Sequence, residues 1–284
     1  AEAARLAGPC LGGGLVGLVG AATTMAADAV SFAVSVASLV LIRARPAAPQ
    51  PAPRVRLRTE VTAGLAFVFR EPILRKVVAC TGTCNLFSGV TSALEIIFLV
   101  RVLHVAPAYT GLVVALSAVG GIAGGTVSGW LARMIGSARI IWVSILGFGV
   151  VGLLIPFATP GWGVALFVLG WAGFSFSAVV YNVAQVSYRQ AVCPPELLGR
   201  MNAAVRWVVW GTIPLGGLLG GALGSALGVR AALVVGVAGT WAGGLWVFFS
   251  PLRRMRDVPP PGTYPGVPPP GPQPAATPEP APEP

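Results

Sequence analysis

Charge is what this sequence has least of. Charged residues make up 10% of the 284-residue chain, against about a quarter in a water-soluble domain. A surface facing water on all sides cannot be built from that supply. Lysine is nearly absent: Lys76 stands alone among 19 basic residues, the rest being arginine. His104 is the single histidine, which argues against a histidine metal site or a catalytic triad. The four cysteines (Cys10, Cys80, Cys84, Cys193) have no metal or redox spacing and read as small packing residues. No GxxxxGK[ST] phosphate loop occurs, so the polypeptide is not expected to hydrolyse ATP itself. Gly12 to Gly17 match GxGxxG, but no strand precedes them and no acid follows at the right distance. No nucleophile–base pair supports an intramembrane enzyme, and no cofactor is expected.

What the chain has is apolar sequence: 55% hydrophobic residues and a mean hydropathy of +0.79. About 20 apolar residues cross a bilayer as a helix, with every backbone polar group satisfied internally. The expected architecture is an all-α integral membrane bundle of about eight transmembrane helices. The spans fall near 5–23, 25–42, 77–100, 107–132, 138–158, 162–188, 203–227 and 230–250. The breaks carry turn or charge signals: 101–107, Thr159-Pro160-Gly161, Cys193-Pro194-Pro195 and Gly228-Val229-Arg230.

The one long polar interruption runs from Arg43 to Lys76 and holds eight basic residues: Arg43, Arg45, Arg54, Arg56, Arg58, Arg70, Arg75 and Lys76. Basic residues flanking spans stay in the cytoplasm. Threading the spans from this loop leaves only Arg101 and Arg230 of the 19 basic residues outside. That asymmetry explains the net charge of +10 better than a nucleic-acid face does. It puts both ends of this chain in the cytoplasm. Within the loop, Leu57, Val61, Leu65 and Val68 have the spacing of an amphipathic helix on the inner membrane surface. From Asp257 onward the sequence is Pro-rich and is expected to be disordered. The chain starts at Ala1 without Met and reads as the middle of a longer protein.

Small residues recur four apart in the first, fourth and seventh spans. Gly8, Gly12, Gly13 and Gly20 recur at a constant offset as Gly216, Gly220, Gly221 and Gly228. Gly121, Gly125 and Gly129 line the fourth span. Such rows let helix backbones approach closely, either as static packing or as a sliding contact between two lobes. Two polar stripes stand out. In the third span, Thr81, Asn85, Ser88, Ser92 and Glu95 follow steps of four and three, which is one helix face. In the sixth, Trp171, Ser175, Asn182, Gln185 and Arg189 do the same, with Tyr181 beside them. Polar faces in lipid must turn to protein or to a water-filled cavity. They are either the wall of a hydrated pathway or hydrogen bonds that hold the bundle. Asn85, Ser92, Glu95, Asn182 and Gln185 are the candidate substrate and proton pathway. Glu95 could carry a proton, or pair with Arg101 at the outer interface. Asp28 is placed near a helix start, where the dipole favours an acid, and Arg206 reads as an interfacial anchor beside Trp207 and Trp210.

Several of these stretches resemble the major facilitator superfamily, within it a bacterial siderophore-exporter branch. Gly8-Pro9-Cys10-Leu11-Gly12-Gly13 looks like the GPxxGG end of the antiporter motif. Asp28–Phe32 and Glu60–Val68 resemble the sixth helix and central loop. Gly129–Arg139 resembles the second-half GxLADRxGRR loop, though Arg133 stands where an acid is expected and Met134 where a base is. Pro194–Met201 resembles the loop before the eleventh helix. The resemblance implies that the spans here are the last eight of twelve. It divides the chain into 1–43, the last two helices of an N-terminal lobe; 44–76, a basic linker; 77–252, a six-helix C-terminal lobe; and 253–284, a cytoplasmic tail. It implies Gly8, Pro9, Gly12 and Gly13, with Gly121, Gly125 and Gly129, at the lobe interface. It also implies a proton-coupled small-molecule exporter of the bacterial plasma membrane, working by alternating access with protons and lipid as partners. A non-transporting scaffold or a transporter remnant is the alternative.

Overall fold

The computed structural model describes residues 21–41, 66, 68–193 and 195–258. The motif glycines Gly8, Gly12 and Gly13 with Pro9, the first span, most of the basic loop and the Pro-rich tail lie outside the described residues. Within them the chain is helical, without a strand. Helix α1 is Ala21–Leu41. Helix α2, Pro72–Ile97, runs on through a wide turn at Phe98–Val102. Helix α3 is Pro107–Ile135. Helix α4, Arg139–Leu146, continues as a tighter coil over Phe148–Phe157. Helix α5 is Val164–Val192, α6 Pro195–Leu227, α7 Val229–Gly243 and α8 Leu245–Phe248. A single turn, Pro251–Arg254, follows.

Among the described residues, five segments are long and apolar enough to cross a membrane: Pro72–Val102, Tyr109–Ile135, Arg139–Phe157, Gly161–Val192 and Val229–Phe248. Helix α6 has 33 residues, about 50 Å of rise, and the 29-residue α3 and α5 also exceed the hydrocarbon thickness. The sequence punctuates these helices as expected. Pro107 opens α3 and Pro195 opens α6, where a missing N–H costs nothing. Gly228, at φ 84, breaks α6 from α7.

Four expectations need correction. The break near residue 24 is not there, because α1 is helical throughout from Ala21. Asp28 is therefore about two turns inside a helix, and a helix-start dipole does not explain it. The span at 138–158 is not one regular α-helix. Gly147, Gly149, Gly152 and Pro156 interrupt it, and after Leu146 the coil tightens. Finally, Val68 does not lie on a membrane surface; it is buried with Leu74, Met201, Val205 and Val209. The other residues of that face, Leu57, Val61 and Leu65, lie outside the described residues.

Packing follows a repeated pattern. Helix α2 packs on α6 and α7, while α5 packs on α3 and α4. Glycines set the closest approaches. A Cβ on Gly120 would overlap the Ala172 carbonyl, and one on Gly124 would come within 2.8 Å of the Phe176 carbonyl. On the other pair, a Cβ on Gly216 would overlap the Leu86 carbonyl, and one on Gly220 would fall 2.9 Å from that of Val90. Without a hydrophobic effect between helices in lipid, such backbone approach is a main source of association. The triplet α2–α3–α4 thus recurs as α5–α6–α7. Three spans is an odd number, so the second copy crosses in the opposite sense, an inverted repeat.

The two ends of the bundle differ in charge. At one end, Lys76 donates to the Phe249 carbonyl, and Asp257 accepts from the Ser137 backbone N–H at 3.0 Å and its hydroxyl at 3.3 Å. The N–H of Ala138 bonds the Arg256 carbonyl at 3.0 Å, and Gly136, at φ 106, leaves no room for a Cβ against that segment. Arg133, Arg139, Arg253, Arg254 and Arg256 gather here. At the other end Arg230 donates to the carbonyls of Pro156 (2.7 Å) and Ala158 (2.9 Å), with Phe98 under its guanidinium.

Candidate functional site

A cavity of about 440 Å³ opens among α2, α4, α5, α6 and α7. Thr81, Asn85 and Ser88 of α2 face Ser177, Tyr181 and Asn182 of α5 across it. Trp210 and Ile213 of α6, and Val237, Thr240 and Trp241 of α7, close the sides. The two stripes therefore meet, as their helical spacing requires of polar faces that avoid lipid.

Hydrogen bonds fix this wall. The hydroxyls of Thr81 and Tyr181 lie 2.7 Å apart, and each also reaches the Val77 carbonyl, at 2.9 and 3.2 Å. That cluster ties α5 to α2. Asn85 Nδ2 donates to the Val209 carbonyl at 3.3 Å and ties α2 to α6. Thr212 Oγ1 donates to the same carbonyl at 2.7 Å. Pro214 lies just beyond, inside α6; its missing N–H leaves the carbonyl four residues earlier, that of Trp210, without a helical donor. Gln185 Nε2 donates to Asn182 Oδ1 at 2.9 Å, so buried Gln185 orients an amide that stays exposed to the cavity. Trp241 Nε1 donates to the Leu146 carbonyl at 3.0 Å, and Ser177 Oγ to that of Ser144 at 2.6 Å. The outcome is a neutral, hydrogen-bonding chamber with aromatic walls.

A second cavity, about 610 Å³, is lined by Gly199, Asn202, Ala203, Arg206, Trp210 and Gly211. The two share Trp210, over which Arg206 sits at 5.5 Å. Arg206 thus lines the second cavity beside the one residue that borders both.

The candidate residues do not all converge. Asn85 and Asn182 line the chamber, and Gln185 stands behind Asn182. Ser92 and Glu95 lie further along α2 and are not in its wall. Ser92 is exposed and Glu95 half-buried. Glu95 makes no ion pair with Arg101 among the described residues, where the single ion pair is Arg256–Asp257. Six residues of helix turn the two side chains about 120° apart, so they share no face. In the other stripe Trp171 is buried in the apolar core. Arg189 stays at the basic end of α5, its Nε buried without a hydrogen-bond partner. Gly121 and Gly125 meet only side chains of α5, at 3.6 Å or more, and Gly129 meets nothing within 4 Å. The tight backbone contacts fall one residue earlier, on Gly120 and Gly124; Gly121 and Gly125 lie in looser side-chain contact with α5, and Gly129 alone is clear of it. Sequence reasoning missed Thr240 and Trp241, which stand singly in an apolar run with no stripe to mark them.

An all-α, multi-pass membrane bundle with an inverted repeat and a polar chamber between the repeats is the architecture of major facilitator proteins. The chain belongs to their transmembrane secretion effector family, whose profile matches residues 1–265. It is 27% identical over 263 residues to the enterobactin exporter EntS of Citrobacter koseri, covering 89% of this chain and 59% of that protein. The chain thus spans little more than half the length of that relative. No solved structure matches it significantly.

Proposed function

We propose that the protein moves a small molecule out of a bacterial cell across the plasma membrane by alternating access, driven by proton exchange. The observation that carries this reading is the neutral chamber between α2 and α5, which shares its Trp210 wall with a second cavity lined by Arg206. The family and the exporter among its relatives support it. On this reading α1 belongs to one lobe, α2 to α8 form the other, and the basic end with both chain ends faces the cytoplasm. Cargo enters past Arg206 and Trp210 and is held by the amides of Asn85 and Asn182. The Gly121–Gly125–Gly129 row, with Gly8, Pro9, Gly12 and Gly13, forms the sliding contact between lobes. Glu95 exchanges the proton; it and Asp28 are the only acids in the spans, and an intramembrane acid is costly unless it works.

The test is efflux from cells carrying the full-length protein, with enterobactin as first cargo, since the similar exporter is named for it. Unchanged export by an Asn85→Ala/Asn182→Ala variant with normal membrane abundance would remove the chamber from the path. No transport by the unaltered full-length protein with any of a panel of cargoes would favour a scaffold.

A further inference from the structure

The basic end holds a feature that transport does not use. A cavity of about 580 Å³ is walled by Phe248, Phe249, Ser250, Pro251, Arg253 and Arg254, at the junction of α8 with the final turn. The Arg253 guanidinium carbon lies 4.6 Å from the centre of the Phe248 ring, and Phe248 is itself edge-on against Trp142 at 5.4 Å. That contact holds the guanidinium against the aromatic ring. Lys76 is drawn to the same place by its bond to the Phe249 carbonyl. Neither Arg253 nor Arg254 has an acid partner among the described residues. The nearest acid in sequence, Asp257, is taken by Ser137 and stands beside Arg256. In the same stretch, Trp246 and Phe249 are 50% and 67% exposed. The pattern is two guanidiniums without acid partners on the wall of a cavity, next to exposed aromatic side chains.

We propose that this cavity seats the phosphodiester headgroup of an anionic phospholipid, with Arg253 and Arg254 on the phosphate and Trp246 and Phe249 along the upper acyl chain. A planar guanidinium matches two phosphate oxygens, and basic pockets at helix ends near the inner leaflet attract anionic headgroups. A free phosphate ion shares the headgroup chemistry but gains nothing from the aromatic ridge.

Native mass spectrometry of the purified full chain, exposed to equal amounts of dioleoyl phosphatidylglycerol and dioleoyl phosphatidylcholine, tests this. Wild type should retain the anionic lipid preferentially, and R253Q/R254Q should lower that preference about tenfold or more. R133Q, which removes a charge from the same end of the bundle, should leave it in place. A double variant with the wild-type preference overturns the site, as does loss of bound lipid to millimolar inorganic phosphate. A second measurement needs no change to the arginines. Phosphatidylglycerol brominated high on its chains should quench tryptophan fluorescence more than brominated phosphatidylcholine, and W246F should abolish most of the difference. Equal quenching by the two lipids also overturns the proposal.

Discussion

Tyr181 shows how much one hydroxyl does in a bundle held without a hydrophobic drive between its helices. It shares a proton network with Thr81 and the Val77 carbonyl and so joins α5 to α2. Tyr181→Phe keeps the ring and removes that tie. We expect a cost of about 0.6–1 kcal/mol, the usual scale for one interhelical hydrogen bond in a membrane protein. It is read as a small fall in the thermal midpoint of the purified protein, with transport retained. Glu95 is a different case, half-buried and with no cation beside it. Glu95→Gln in the full-length protein is expected to abolish proton-linked flux while leaving abundance unchanged. Flux at the wild-type level would take Glu95 out of the coupling scheme. Both stripes were legible in the sequence because a period of 3.6 sorts their polar residues onto one face. Which members of a stripe meet was not legible, since α2 leans on α6 near Asn85 and leaves Ser92 outside the chamber.

Among elements, α3 offers the sharpest contrast. Its two glycine rows are offset by one residue and face different ways. Gly120 touches the backbone of α5, so Gly120→Leu has nowhere to put a side chain. A cost on the order of 3 kcal/mol or more is expected, seen as loss of folded protein in mild detergent. Gly129 has open space around it, so Gly129→Leu should fold normally. If that row slides against the other lobe, the same change should stop transport. Normal transport by Gly129→Leu would return the row to inert packing. The link between the α3–α4 turn and the Arg256–Asp257 segment makes a second element-scale prediction. Asp257→Ala removes the acceptor for the Ser137 N–H, and hydrogen exchange at Ser137 should quicken while the helix interiors keep their protection. The glycine rows could be seen in the sequence as rows of small residues. Which row meets the backbone of α5 and which meets only its side chains could not, because a shift of one residue rotates the contact by about 100°.

For the whole molecule, the arginines divide the two ends of the bundle. Arg101 and Arg230 sit at one end, the remaining described basic residues at the other. Cysteines placed at Arg101 and at Pro49, tested in intact cells with an impermeant thiol reagent, should react at Arg101 and stay protected at Pro49. The reverse would invert the proposed orientation and with it the direction of transport.

Composition and hydrophobic period by themselves determined that this is a multi-pass helical membrane protein, roughly where the helices from α2 to α7 turn back, and which end is basic. These are local or additive quantities: a bilayer fixes the length of a span, proline and glycine stop it, and charge refuses to cross. The inverted pairing of α2 with α6 and of α5 with α3, the chamber of Asn85 and Asn182, and the Arg253 stack on Phe248 were decided only by the tertiary structure. Each depends on which faces of separate helices touch, and no run of residues along one helix carries that information.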